Sequence, residues 1–267
     1  MRTIIDSESL YKRIISADPD LLLLDIRPFS DYNSGHIPGA INIDLMHFHW
    51  FDTSSRGIRE FNRQMKILLN FIGIKCQSFV VFYDDISGAP ASRGVWLLHY
   101  FSHKNAYILD GGFKSWVTQN YPIEEKTNSY KYSKSDFTIE KNVLADVLYI
   151  KNKIKNNQKD IEIIDCRSEM EFNGTIVRAL KRGHIPGAIN IDWTNNLDIN
   201  KKFKERSKLL ELYSFIPFDK EIITYCQGGY RAANTYLVLK QLGYSNVKMY
   251  LGSWGEWGNI PLLPAVQ

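Results

Sequence analysis

The sequence is poor in three things, and each absence removes a class of protein. It holds only three cysteines in 267 residues, Cys76, Cys166 and Cys226. An odd, sparse set builds no disulfide framework and points to a reducing compartment, so the cytoplasm is the expected location. No apolar run approaches the length of a membrane-spanning helix, roughly 20 residues; LLLL at 21–24 stops at Asp25. The opening MRTIIDSESLYKRIISADPD also lacks the apolar core and cleavage site of a secretory signal. Finally, there is no block of like charge. Lys+Arg 33 against Asp+Glu 29 leaves a net +4, a diffuse surface excess rather than a nucleic-acid arm or a polybasic membrane anchor. Neither nucleic acid nor membrane is expected as a partner, and the excess mildly favours small anionic substrates.

What is present is ordinary globular composition, 44% hydrophobic and 23% charged, enough for one or two cores. The informative feature is repetition. The decapeptide GHIPGAINID starts at Gly35 and again at Gly183, an offset of 148, whereas Asp25 and Asp165 of the preceding DxR triplets are offset by 140. The second copy therefore carries eight extra residues, within NGTIVRALKR. VVFYD at 80–84 matches IITYC at 222–226, and YILDGGFKSW at 107–116 matches MYLGSWGEW at 249–257. Ordered matches of this kind mark a tandem duplication.

Each copy alternates strand and helix. LLLLDIR and IEIIDCR are apolar runs ending in charge, as buried parallel strands do. GAINID gives a short strand after a Pro-Gly turn, and VVFYD and IITYC give central strands. SRGVWLLHYF and RAANTYLVLKQLG have helical length, the latter stopping at Gly243; AYILDGG and VKMYLGS follow as strands. The expected fold is α/β: two tandem domains, each a mainly parallel sheet flanked by helices on both faces. The polar, lysine- and serine-rich stretch at 124–136 reads as a linker between units at 1–123 and 137–267.

The segment YCQGGYRA places Cys226 at the carboxyl end of a strand, where α/β sheets gather ligands. Gly228 and Gly229 let successive amides curl into an anion nest, and the helix beginning near Arg231 points its positive end at the same spot. A thiol so surrounded is stabilised as thiolate, and Arg231 adds a permanent charge that either pairs with an anionic substrate or folds back on the loop. A small buried core cysteine is the bland alternative. The first copy has Asp84 at this position, followed by DISGAPASR. A carboxylate cannot act as a thiol nucleophile, so the first unit is expected to be catalytically inactive.

GHIPGAINID, CQGGYRA and GSWGEWG together resemble the tandem rhodanese-domain sulfurtransferases, the thiosulfate and 3-mercaptopyruvate sulfurtransferases, over roughly residues 5–260. The resemblance implies a cysteine in the second domain that takes a sulfane sulfur as a persulfide and passes it to cyanide or a thiol. It implies no metal or organic cofactor, and it adds a protein sulfur acceptor as an alternative partner. Gln227, Gly228, Gly229, Tyr230 and Arg231 would form the substrate loop around Cys226. Mercaptopyruvate users of the family carry a CG-S/A-GVT loop and an arginine in a GRF segment after the DxR; here the loop is CQGGYRA and Glu171 stands in MEF. Thiosulfate is the expected donor.

Two readings compete. Cysteine-dependent phosphatases and arsenate reductases also follow a cysteine with an arginine, but across five residues; here four intervene. A sulfur carrier with little turnover is the other. Among further candidates, Arg167 of the second DxR buttresses the loop or faces substrate, though Arg27 repeats it in the first unit. Arg178 and Arg182 lie in the insertion and either reach the substrate or remain solvated. Trp254, whose counterpart is Phe113, is a candidate pocket wall, whereas Trp257 matches Trp116 and reads as packing. His36 and His184 occur in both turns and read as turn-fixing groups. Cys166 is a resolving thiol or, as the strand pattern favours, a buried core residue.

Overall fold

The computed structural model describes residues 3–45, 48–156 and 160–267. Two five-stranded sheets are present among them, and every strand pair is parallel. The first has β1 (Ile4–Ile5), β2 (Leu21–Asp25), β3 (Ile41–Asn42), β4 (Phe79–Tyr83) and β5 (Ala106–Leu109) in the order β1-β5-β4-β2-β3. The second repeats it with β6 (Leu144–Ala145), β7 (Ile161–Asp165), β8 (Ala188–Asn190), β9 (Glu221–Tyr225) and β10 (Val247–Tyr250) in the order β6-β10-β9-β7-β8. The duplicated α/β architecture expected from the repeats is therefore the observed one.

Helices cover both faces. The first unit carries α1 (Ser7–Ile15), α2 (Phe29–Asn33), α3 (Ser55–Phe71), α4 (Ala89–Tyr100) and α5 (Gly112–Thr118). The second carries α6 (Val147–Lys155), α7 (Glu169–Phe172), α8 (Arg206–Leu212), α9 (Tyr230–Leu242) and α10 (Ser253–Trp257). The long α3 has no equal among the described residues of the second unit. It buries Gly57, Phe61, Met65 and Leu69, a four-residue stripe that turns one helical face to the sheet. Helix α9 ends where Gly243 takes φ +110°, and its N–H reaches the Leu239 carbonyl at 3.2 Å.

The inner faces of the two units share one apolar core. It runs from Leu24 and Phe82 through Val95, Trp96 and Leu98 of α4 to Ala233 and Leu237 of α9 and Ile222 beyond. Helices α4 and α9 pack directly on each other. Trp96 is fully buried there, and its Nε1–H donates to the Val143 carbonyl at 3.1 Å. Trp96→Ala would cost about 3–5 kcal/mol on the usual cavity scale.

The segment at 124–136 runs along the first unit. Glu124 bridges to His36, the Asn128 N–H donates to Tyr32 Oη at 2.9 Å, and Ser133 and Ser135 both bond the Ile74 carbonyl at 2.8 Å. At the far end Val266 bridges to His184 in the same manner.

Candidate active site

Strand β9 is buried at every residue, and the chain leaves it directly into Cys226, itself 1% exposed. The turn that follows is fixed by hydrogen bonds to the start of α10. The Cys226 N–H donates to Ser253 Oγ at 3.2 Å, and the carbonyls of Cys226 and Gln227 accept from Trp254 and Gly255 at 2.9 and 2.8 Å. Gly229 sits at φ +85°, a conformation that favours glycine, and its N–H points at Cys226 Sγ, 3.1 Å away. The next residue opens α9, so the amide and the helix N-terminus lie against the sulfur together.

The first unit shows what such a turn holds. At the same strand end the Asp84 carboxylate accepts from the N–H groups of Ile86, Gly88 and Ala91, each at 3.1 Å. Burial raises its pKa to about 6, against the pull of those amides. One turn is closed on its own side-chain anion; the other presents its amide to a sulfur.

Arg231 does not extend freely. Its Nη1 and Nη2 hold the two oxygens of Glu171 at 2.6 and 3.0 Å. Burial alone would raise the Glu171 pKa, but the Arg231 hydrogen bonds and charge hold it down to about 2. Burial likewise disfavours the Arg231 charge, and the Glu171 bonds and the nearby Cys226 more than restore it. Glu171 closes the capping box of α7 with Ser168 and receives Arg178 Nε at 3.4 Å. Sequence reasoning noted Glu171 only as a departure from a motif; the Ser-x-x-Glu spacing at 168–171 signalled its fixed position, but not its partner.

The insertion reaches the loop at one point. Gln227 Nε2 donates to the Arg178 carbonyl at 3.1 Å, while Gln227 Oε1 is buried with no donor among the described residues. Tyr230 turns toward the first unit, where its hydroxyl donates to the Leu45 carbonyl at 2.5 Å. A Cβ on Gly228 would stand 2.7 Å from His49 Cδ2, so this glycine allows the first unit to approach closely.

The structure places the remaining candidates as follows. Arg167 takes the buttressing alternative: its Nε and Nη2 are held by Asp165, with Nη2 also on the Gly183 carbonyl at 2.8 Å, and Arg27 makes the same bonds to Asp25 and Gly35. Trp254 is not a pocket wall. It is 1% exposed and lies over the Arg167 guanidinium at 4.7 Å, as Phe113 lies over Arg27 at 3.8 Å. The aromatic after the last strand covers the DxR arginine in both units. Arg182 is exposed, its side chain beside Gly174. The two histidines do fix turns: His36 Nδ1 pairs with the Tyr32 carbonyl and His184 Nδ1 with that of Phe172, at 2.8 and 2.9 Å. Cys166 is fully buried, and burial pushes its thiol well up. Among the described residues no cluster of three or more His, Cys, Asp or Glu side chains could hold a metal.

A thiol at a strand end, faced by a glycine-loop amide and a helix N-terminus, defines an α/β protein built for covalent chemistry through sulfur. The model of the rhodanese-like domain matches residues 6–119 and again 148–260, and the chain belongs to that family. It is 33% identical over 263 residues to a thiosulfate sulfurtransferase of Pseudomonas aeruginosa, covering 98% of this chain and 96% of that one. It is also 33% identical to the sulfur carrier protein TtuD of Thermus thermophilus, covering 94% and 90%. The crystal structure of SseA from Escherichia coli, described as a 3-mercaptopyruvate sulfotransferase, superposes with a TM-score of 0.79 at 25% identity, over 95% of this chain and 99% of that one. The protein is a tandem-domain sulfurtransferase.

Proposed function

We propose that the protein takes a sulfane sulfur from thiosulfate onto Cys226 and passes it to cyanide or a thiol. The thiolate attacks the outer sulfur, the S–S bond of thiosulfate breaks, and sulfite leaves with the electron pair, so that a Cys226 persulfide anion remains. Cyanide then attacks the terminal sulfur, giving thiocyanate and the original thiolate. A thiolate acceptor gives its own persulfide in the same way. Two half-reactions through one covalent intermediate give ping-pong kinetics.

The observation that carries this is the Gly229 N–H on Cys226 Sγ at 3.1 Å within a loop of four residues between Cys226 and Arg231. An amide and a helix N-terminus there stabilise an anionic sulfur. A phosphatase of the related kind needs a wider loop. Thiosulfate is favoured over 3-mercaptopyruvate because Glu171, at the position where mercaptopyruvate users carry an arginine, is an anion that engages Arg231. A carboxylate there gives no counterpart for the carboxylate of mercaptopyruvate. Among the described residues no helix is long and apolar enough to cross a membrane, and the free cysteines favour the cytoplasm.

The test sets cyanide-dependent turnover of thiosulfate and of 3-mercaptopyruvate beside the hydrolysis of p-nitrophenyl phosphate. Thiosulfate is expected to give the highest kcat/KM, and preference for the phosphate ester would refute sulfur transfer as the activity. A second function, sulfur carriage with slow turnover, is favoured by the near-complete burial of Cys226 and by the relative named as a sulfur carrier. A stable persulfide with negligible thiocyanate formation would select it.

A further inference from the structure

The repeat that lacks the thiol sends a buried cation to the catalytic loop. Arg93 lies on α4 of the first unit, is 4% exposed, and its Nη1 has no hydrogen-bond partner among the described residues. Its guanidinium stacks over Trp96 at 4.4 Å and stands 5.8 Å from the Tyr230 ring and 5.9 Å from that of Phe61. Aromatic faces offset part of the cost of burying it, but a buried cation with an idle donor remains expensive unless an anion shares its field. Nη1 lies beside Gly229: a Cβ built there would stand 3.6 Å from it. The amide of Gly229 is the one that bonds Cys226 Sγ.

The duplication shows that this reach is a property of the interface. His103 N–H on the Leu98 carbonyl and Tyr244 N–H on that of Leu239 mark equivalent helix ends, and counting back sets Asn234 of α9 against Arg93 of α4. Asn234 Nδ2 crosses in the opposite direction, to the Ser87 carbonyl at 3.0 Å and Ser92 Oγ at 3.1 Å, in and just after the turn closed by Asp84. From these matched helical positions each unit thus extends a side chain toward the other's strand-end turn. The turn that already contains a carboxylate receives a neutral amide; the turn that contains the thiol receives a cation.

We propose that Arg93 is a positioning residue for the catalytic loop, its charge stabilising the anionic form of the Cys226 sulfur from behind the Gly229 amide. This rests on Cys226 as the reacting group. Other charged and titratable groups lie around the loop: Arg231 and Tyr230 from α9, Glu171 from α7, Arg178 from the insertion, Cys166, Asp165 and Arg167 at the end of β7, and Asp44 and His49 after β3; Glu256, on α10 whose first turn bonds the loop, is engaged by Thr53 and Tyr250. They are common to every variant compared below, so the effect of Arg93 is isolated by difference.

The experiment compares wild type with Arg93→Lys and Arg93→Gln, following iodoacetamide alkylation of the Cys226 peptide by mass spectrometry from pH 6 to 10. The glutamine variant is expected to react about tenfold more slowly at pH 7, converging with wild type toward pH 10, as loss of one nearby opposite charge predicts. The lysine variant is expected to recover most of the rate. Superposable profiles for all three would overturn the proposal. Should the glutamine variant not fold, the 15N-labelled Arg93 guanidinium signal of wild type, assigned by its loss in Arg93→Lys, is recorded before and after alkylation. It is expected to move, and an unmoved signal would also overturn the proposal. Neither readout uses a sulfur donor, so failure of thiosulfate to load Cys226 would count against the proposed function and leave this test intact.

Discussion

Arg231 and Glu171, sixty positions apart in the chain, form a two-pronged ion pair of 2.6 and 3.0 Å beside the Cys226 loop. The pair fixes the guanidinium plane, and Arg178 at 3.4 Å supplies a second cation to the same carboxylate. Two arginines against one glutamate leave a net positive rim at the loop. Replacing Arg231 with alanine removes a charge-assisted donor set, worth about 1.5–3 kcal/mol. The thiosulfate KM is expected to rise about tenfold or more, with transfer from a preformed persulfide to cyanide less affected. Steady-state and single-turnover assays separate the two effects.

The same pair sets an acid limit. Glu171 is held at about 2, below the ordinary glutamate value. A carboxylate depressed in the folded state contributes stability that is complete above its unfolded value, near 4.5, and is lost as pH falls toward 2. Thermal melting of wild type and Glu171→Gln should therefore show an advantage for wild type at pH 7 that shrinks as pH falls below 4.5. A constant gap down to pH 3 would place the stabilising effect elsewhere.

Gly229→Ala tests the cradle. At φ +85° an alanine is strained by about 1–2 kcal/mol, and its Cβ would stand 3.2 Å from the Leu251 carbonyl oxygen. The amide must shift off Sγ, so sulfur-transfer activity is expected to fall by more than tenfold while the melting temperature drops only a few degrees, as roughly 1–2 kcal/mol implies for a chain of this size.

Asp84→Cys should not create a second active site. The first-unit turn is a residue longer, 84 to 88 against 226 to 229, and it is built to close three amides on a carboxylate. Peptide mass spectrometry after thiosulfate treatment should find no sulfur added at position 84. Removal of the acceptor leaves buried N–H groups unsatisfied, so the variant should lose about 2–4 kcal/mol of stability in denaturant titration.

Much of this was legible in the residues. The apolar runs ending in Asp25 and Asp165 are sheet strands whose last three residues are all buried, so both faces are covered there and the runs are rich in Leu and Ile. The cysteine loop was legible because glycine and the strand-to-helix change are local signals. Helix α3 went unread, although Phe61, Met65 and Leu69 at four-residue spacing carried its periodicity. The Glu171–Arg231 pair and the reach of Arg93 were not legible at all. Both depend on long-range packing, and no local spacing encodes which distant side chain a buried charge will meet. Trp254 misled because the matching residue differs in size, not in role.

The central claim is that Cys226 carries the sulfur. Wild type and Cys226→Ser are each treated with thiosulfate, freed of excess donor, and measured by intact-protein and peptide mass spectrometry. One added sulfur on the peptide containing Cys226, absent from the serine variant and discharged by cyanide with release of thiocyanate, is the result expected. Full sulfur loading and thiocyanate formation by Cys226→Ser would contradict it.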